Sequence, residues 1–360
     1  MKKSIRILLA FVLLVTLLAG CASKAAETPA PTPDAPEAPV VETAAELVRV
    51  GLVSSSSGFG DNAFNDLTLR GVDRAVAEFG IEYDKIAIKA VGDIELSLRD
   101  MASTEEYQII ICLTYEAIEA LKIVSAEYPE QYFAILDTSV EAPNVASYMT
   151  KDQEASFMVG AMAALMIEDG LSDAEKLGFI GGVDAPNIRI FYSGYCAGAK
   201  YVDKDIQIYD DYVGSFTDVT TAKEIAATMN SQGAGIIFHA AGMAGNGLFQ
   251  AAKENSTYAF GVNTNQNAIE PDRIAGSMIK NVDVAAFEAI KSVVDGTFQP
   301  GVRALSLDDG GVDLVTEGSN IVISADKFAV LEEIRSKIAS GEIVVPTNVV
   351  DLESFISSLS

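Results

Sequence analysis

The chain has 360 residues, 49% of them hydrophobic, and a formal net charge of −26 at pH 7. That length exceeds one typical core, so two lobes are expected. The acidity argues against nucleic acid and anionic lipid surfaces as electrostatic partners and leaves a neutral small ligand open. The single histidine, His239, excludes His-rich zinc sites and most His-based triads.

The first element is a leader. Lys2, Lys3 and Arg6 precede an apolar run, residues 7–18, which ends in Leu17-Leu18-Ala19-Gly20-Cys21. A run this short, closed by small residues, is read as a cleaved signal peptide over residues 1–20 rather than a spanning helix. A Cys directly after Leu-Ala-Gly resembles the lipobox of bacterial lipoproteins. The resemblance implies that Cys21 becomes the acylated first residue of an extracytoplasmic protein anchored to the cell membrane. An ordinary signal peptide with an incidental Cys is the alternative. Residues 21–46 hold Pro29, Pro31, Pro33, Pro36 and Pro39 and no periodic apolar face. They form a linker of polyproline character, reaching roughly 75 Å if fully extended.

The body then alternates strand and helix. Residues 48–53 form a β-branched strand followed by a polar loop, and 64–79 have helical spacing. Further strands are predicted at 86–91, 108–113 and 132–136, each preceded by a helical stretch, and 146–150 reads as another short strand. A second series follows: helix 153–167, strand 177–180, helix 188–201, strand 206–213 and helix 218–230 capped by Thr217 or Asp218. Strand 235–239, helix 246–255 and strand 258–262 complete it. Strand 275–279, helix 282–294, helix 328–338 and a strand at 343–345 end the chain. Such alternation implies parallel sheets covered on both faces. Two series imply an α/β fold of two doubly wound lobes joined by a multi-segment hinge. The boundaries read as 47–149 plus 266–304 for the first lobe and 150–265 plus 305–345 for the second, with 346–360 as a C-terminal segment. Hinge crossings are placed at 149–151, 263–266 and 301–307.

Ligands of open α/β sheets sit beyond the carboxyl ends of the strands. The residues there are polar, glycine-rich and aromatic, and they lack nucleophile–base pairs. Cys112 and Cys196 are far apart and in no metal spacing, so both are read as core thiols. No metal site and no cofactor are expected. The run Ala241-Gly242-Met243-Ala244-Gly245-Asn246-Gly247 lacks the spacing of a phosphate cradle, and Gly242 is better suited to close backbone approach to a neutral ligand. Asp137 has no evident catalytic partner and fits a carboxylate that accepts from a ligand.

Eight stretches, in order, resemble the basic membrane protein family of bacterial lipoproteins. They are Asp61-Asn62-Ala63-Phe64-Asn65, Pro143-Asn144-Val145-Ala146-Ser147, Glu154-Ala155-Ser156-Phe157, Gly178-Phe179-Ile180-Gly181-Gly182, Tyr212-Val213-Gly214-Ser215-Phe216-Thr217-Asp218, Ile237-Phe238-His239-Ala240-Ala241-Gly242, Gly245-Asn246-Gly247 and Ser277-Met278-Ile279-Lys280. The resemblance implies a type I periplasmic binding fold and a non-enzymatic role. It implies a monomeric substrate-binding protein that holds a purine nucleoside between its lobes and passes it to an ABC permease. Carried onto this chain, Phe64 and Phe191 supply the rings that sandwich the base. Asn65 and Asp137 meet its polar edge, Asp61 serves the same motif or caps the following helix, and Lys280 matches a ligand-contacting lysine. Two departures concern the ligand. The family's Gly-Val-Asp-x-Asp-Gln is Gly261-Val262-Asn263-Thr264-Asn265-Gln266 here, and its Gly-Ser-Phe after the third strand is Leu113-Thr114-Tyr115. Asn263 offers a ribose one acceptor and one donor in place of a carboxylate. A receptor of the same fold for another polar ligand, such as a sugar, a modified nucleoside or a signalling molecule, is therefore the alternative.

Overall fold

The computed structural model describes residues 47–60 and 64–359. Cys21, the linker and Asp61 lie outside the described residues. The first sheet is built from β1 (Arg49–Val53), β2 (Glu82–Ile86), β3 (Ile109–Leu113), β4 (Phe133–Leu136), β5 (Val145–Thr150) and β11 (Gly301–Leu305), in the order β11-β5-β4-β3-β1-β2. All its pairings are parallel. The central strands β3 and β4 are apolar throughout, as expected of strands covered on both faces. On one face α1 (Phe64–Phe79) and α8 (Val282–Val294) bury Val72, Ala75, Ala286 and Ile290 against β1, β3 and β4. On the other, α2 (Asp93–Ala102) and α3 (Ile118–Glu127) bury Ile94, Leu98, Leu121 and Val124.

The second sheet contains β6 (Lys176–Gly181), β7 (Gln207–Tyr212), β8 (Ala234–Ala240), β9 (Tyr258–Asn263), β10 (Ile274–Lys280) and β12 (Val312–Val315), ordered β12-β10-β9-β8-β6-β7. Only β12 runs antiparallel to its neighbour. One face is covered by α4 (Asp152–Glu168) and α5 (Pro186–Val202), with α9 (Ala325–Ala339) and α10 (Val349–Ser358) outside them. The other carries α6 (Val219–Ser231) and α7 (Asn246–Asn255). α4 is buried nearly all round, which explains its featureless run of Ala, Met and Phe. The α4–α5 approach depends on Gly198, where a Cβ would meet the carbonyl oxygen of Phe157.

Several expected boundaries shift. β10 pairs with β9 and β12, so the second lobe runs to Lys280 and the chain recrosses there rather than at 266. The crossings are thus 150–152, 280–282 and 305–312. The strand predicted at 86–91 is Glu82–Ile86. As an edge strand it is only half covered, and no apolar run marks it. Residues 343–345 form no strand: Ile343 and Val345 are buried and Val344 is exposed, but the sheet edge is already taken by β12. Residues 346–360 are not a separate tail, because α10 seats Leu352 and Phe355 on the second-lobe core.

Hydrogen bonds tie the crossings together. The Lys151 amide donates to Leu305 O at 2.8 Å. The buried Glu154 carboxylate accepts from the Leu307 amide at 3.0 Å, and Asn281 Nδ2 donates to Gly310 O at 2.8 Å.

Candidate functional site

The carboxyl ends of both sheets point at the crossings, so the loops that follow the strands face one another across a cleft. Four of these strand ends carry positive φ: Thr114 (65°) after β3, Asp137 (66°) after β4, Gly242 (56°) after β8 and Asn263 (67°) ending β9. For a residue with a Cβ this conformation is uncommon, and strained backbone of this kind gathers at binding sites. Three non-glycine residues in this state, at the ends of β3, β4 and β9, make the cleft the candidate site.

Lys280, the last residue of β10, is the centre of its electrostatics. Its Nζ donates to Asp137 at 2.6 Å, from the first lobe, and to Asp152 at 3.1 Å, at the start of α4. The lysine side chain is 12% exposed. Burial alone would release its proton, but the two carboxylates outweigh that and hold its pKa above the ordinary lysine value. Burial likewise pushes the Asp152 carboxyl up, Lys280 opposes it, and Thr150 Oγ1 donates to it at 2.7 Å. The ring of Phe191 lies 5.9 Å from the ammonium, within cation–π range.

Phe64, at the start of α1, lines a cavity of about 110 Å³ with Leu67, Asp137, Asn263, Thr264 and Lys280. The structure thus brings together Phe64, Asp137, Asn263 and Lys280 of the residues expected from sequence. The others are placed differently. Asn65 is fully buried, and its side chain exchanges hydrogen bonds with the Ser55 amide (2.9 Å) and hydroxyl (2.9 Å), so it fixes the β1–α1 loop. Tyr115 is exposed in a short 3-10 turn capped by Thr114 and lines neither cavity of the cleft. Phe191 is 6% exposed, because Ile188, Phe191 and Tyr195 share the face of α5 that packs into the core. It backs Lys280 and has little ring surface left for a ligand.

Sequence reasoning missed Phe216. It lies in the loop after β7, is 41% exposed, and rests on the backbone of Gly182 and Gly242 at the ends of β6 and β8. Any Cβ at Gly182 would collide with the ring. Phe216 is thus an exposed aromatic over a glycine floor at the ends of second-lobe strands. The signal was present in Gly214-Ser215-Phe216, since this loop also follows a strand. Among the described residues no cluster could hold a metal ion, and no helix is long and apolar enough to cross a membrane.

The description "ABC transporter substrate-binding protein PnrA-like" belongs to a family whose profile matches residues 48–349. The chain belongs to this family. It is 31% identical to basic membrane protein A of Borreliella burgdorferi, over 86% of this chain and 91% of that one. It is 29% identical to an uncharacterized lipoprotein of Pyrococcus abyssi, over 93% and 90%. Among solved structures, an ABC transporter solute-binding protein from Aeropyrum pernix K1 superposes with a TM-score of 0.69 at 30% identity, covering 87% of this chain and 97% of that one. The architecture is the two-lobed α/β fold of the type I periplasmic binding proteins.

Proposed function

We propose that this family member is an extracytoplasmic lipoprotein, anchored through Cys21, that captures a purine nucleoside between its lobes and delivers it to an ABC import permease without altering it chemically. The observation that carries the nucleoside reading is the ring of Phe64 beside the Asp137–Lys280–Asn263 cluster, with Phe216 of the second lobe as the proposed facing ring. A flat base suits two rings, each stacking face contributing roughly 1–3 kcal/mol. Asp137 accepts from the ligand, and Asn263 both donates and accepts at the sugar. A ligand that touches both lobes stabilises their closed arrangement, which is the state a permease reads. The lipoprotein names of relatives support the anchor.

Calorimetry of the purified body with inosine, guanosine and adenosine tests this reading. At least one should bind, and Phe64→Ala and Phe216→Ala should each weaken it about ten-fold or more, matching roughly 1.4 kcal/mol or more. No response to any nucleoside would overturn it. The two asparagines, Asn263 and Asn265, where the resembling family has Asp, favour one second reading: a receptor for another polar ligand. Mass spectrometry of small molecules released from the denatured protein separates the two.

A further inference from the structure

A second cavity, of about 490 Å³, adjoins the one lined by Phe64 and shares Leu67, Asn263, Thr264 and Lys280 with it. Small-ligand sites usually enclose roughly 300–1,000 Å³. The 110 Å³ cavity falls below that range and the adjoining one within it, so a ligand seated against Phe64 must extend into the second space. The remaining lining there is Asp66, Arg70, Asn265, Ile279, Asn281 and Val315.

Arg70 sets this space apart. Of the described arginines, Arg49, Arg74, Arg99, Arg189 and Arg335 each have a carboxylate within salt-bridge distance. Arg273 and Arg303 lie near tyrosine rings. Arg70 alone among them has neither, in a chain with 51 acidic and 25 basic residues. It is exposed on α1 and lines the larger cavity, while Asp66, one turn earlier, accepts from the Gly60 amide at 2.7 Å. Opposite it, Asn263 and Asn265 present amides rather than carboxylates. Asn265 Nδ2 is itself engaged by Glu317 O at 3.1 Å, which fixes the loop. The Asn263 amide can donate to an anion where a carboxylate would repel it, and Asp66, the carboxylate of this lining, is held by the Gly60 amide.

We infer that this adjoining cavity is a subsite for an anionic substituent on the sugar end of the ligand, with Arg70 as its counter-charge and specificity-determining residue. The preferred ligand is then a nucleoside monophosphate rather than the bare nucleoside. The inference rests on the nucleoside reading above, since it is the stacked base at Phe64 that turns the sugar end towards Asn263 and Arg70. A guanidinium presents a forked set of donors that matches a phosphate's oxygens.

Calorimetry with guanosine and guanosine 5′-monophosphate, on wild-type protein and Arg70→Gln, decides the matter. Arg70 is exposed and makes no hydrogen bond or ion pair, so the variant folds, and circular dichroism verifies it. The monophosphate should bind wild type at least five-fold more tightly than the nucleoside, with an advantage that shrinks as salt is raised. Arg70→Gln should weaken the monophosphate ten-fold or more and leave guanosine within two-fold. Guanosine binding with no preference for the monophosphate, or equal losses for both probes in the variant, overturns the subsite and spares the nucleoside reading. Binding of neither probe overturns both.

Discussion

On the first-lobe side, the cleft is lined by side chains that α1 and the β4 end project into it: Phe64, Leu67, Arg70 and Asp137. In the second lobe, Gly182 and Gly242 form a glycine floor under the Phe216 ring, and Lys280, at the end of β10, stands against Phe191. The sheets have matching strand orders, yet the first lobe lines the cleft with projecting side chains and the second follows two strands with glycine. Both lobes seat helix on helix through a glycine, Gly71 of α1 on α8 and Gly198 of α5 on α4, where a Cβ would meet a backbone carbonyl oxygen. Lys280 is where the two walls meet.

The largest effect should come from removing that meeting point. Lys280→Met leaves Asp137 and Asp152 facing each other without their cation, and breaking a largely buried pair in this way costs about 3–5 kcal/mol. Urea unfolding at pH 7.5 measures the loss, and a change under 1 kcal/mol would show the walls to be independent. Next is the pH response of the second lobe. His239 is fully buried, its Nδ1 accepts from the Ala241 amide, and burial lowers its pKa from 6.5 to about 4. The unfolded chain therefore takes up a proton first, so stability present above pH 6.5 is lost as pH falls towards 4, by about 3 kcal/mol at the lower end. Unfolding curves of wild type and His239→Gln across that window should diverge in slope, and parallel curves would reject the assignment.

Packing supplies a third, smaller contrast. Gly198→Val forces α4 and α5 apart and should cost about 1–3 kcal/mol, read as a lower urea midpoint. The last contrast separates two aromatics of the second lobe. Phe216→Ala should weaken nucleoside binding by roughly 1–3 kcal/mol with little change in melting temperature. Phe191→Ala, being a core truncation, should lower the melting temperature more than it alters affinity. The reverse pattern would return Phe191 to the ligand.

Much of this was legible in the sequence because fully buried parallel strands announce themselves: Ile109 to Leu113 could hardly be anything else. What escaped lies at edges: β2 was displaced and β11 and β12 were not predicted, although the edge strand β7 was. β2 is half exposed and polar, and β12 is four residues long, so neither gave an apolar run. The alternation of Ile343, Val344 and Val345 imitated a strand because burial also alternates in irregular chain lying along a core. Asp137 and Asn263 were singled out because they lie at strand ends and Lys280 through the family resemblance, and all three line the cavity beside Phe64. Asn65 was misjudged because an amide suited to a base edge is equally suited to bracing a loop, and only geometry distinguishes the two. Phe216 was overlooked because its value depends on glycines 34 residues before it and 26 after it, which the fold alone brings together.

The triple crossing also sets a timetable for making the molecule. The first-lobe core is sealed by α8, whose Val282, Phe287 and Ile290 lie under strands that are translated well over a hundred residues earlier. At roughly 5–20 residues per second, those strands wait on the order of ten seconds for their cover. The first half of the chain thus emerges as an unfinished sheet with an apolar face. The second lobe must therefore be synthesised before the first can close.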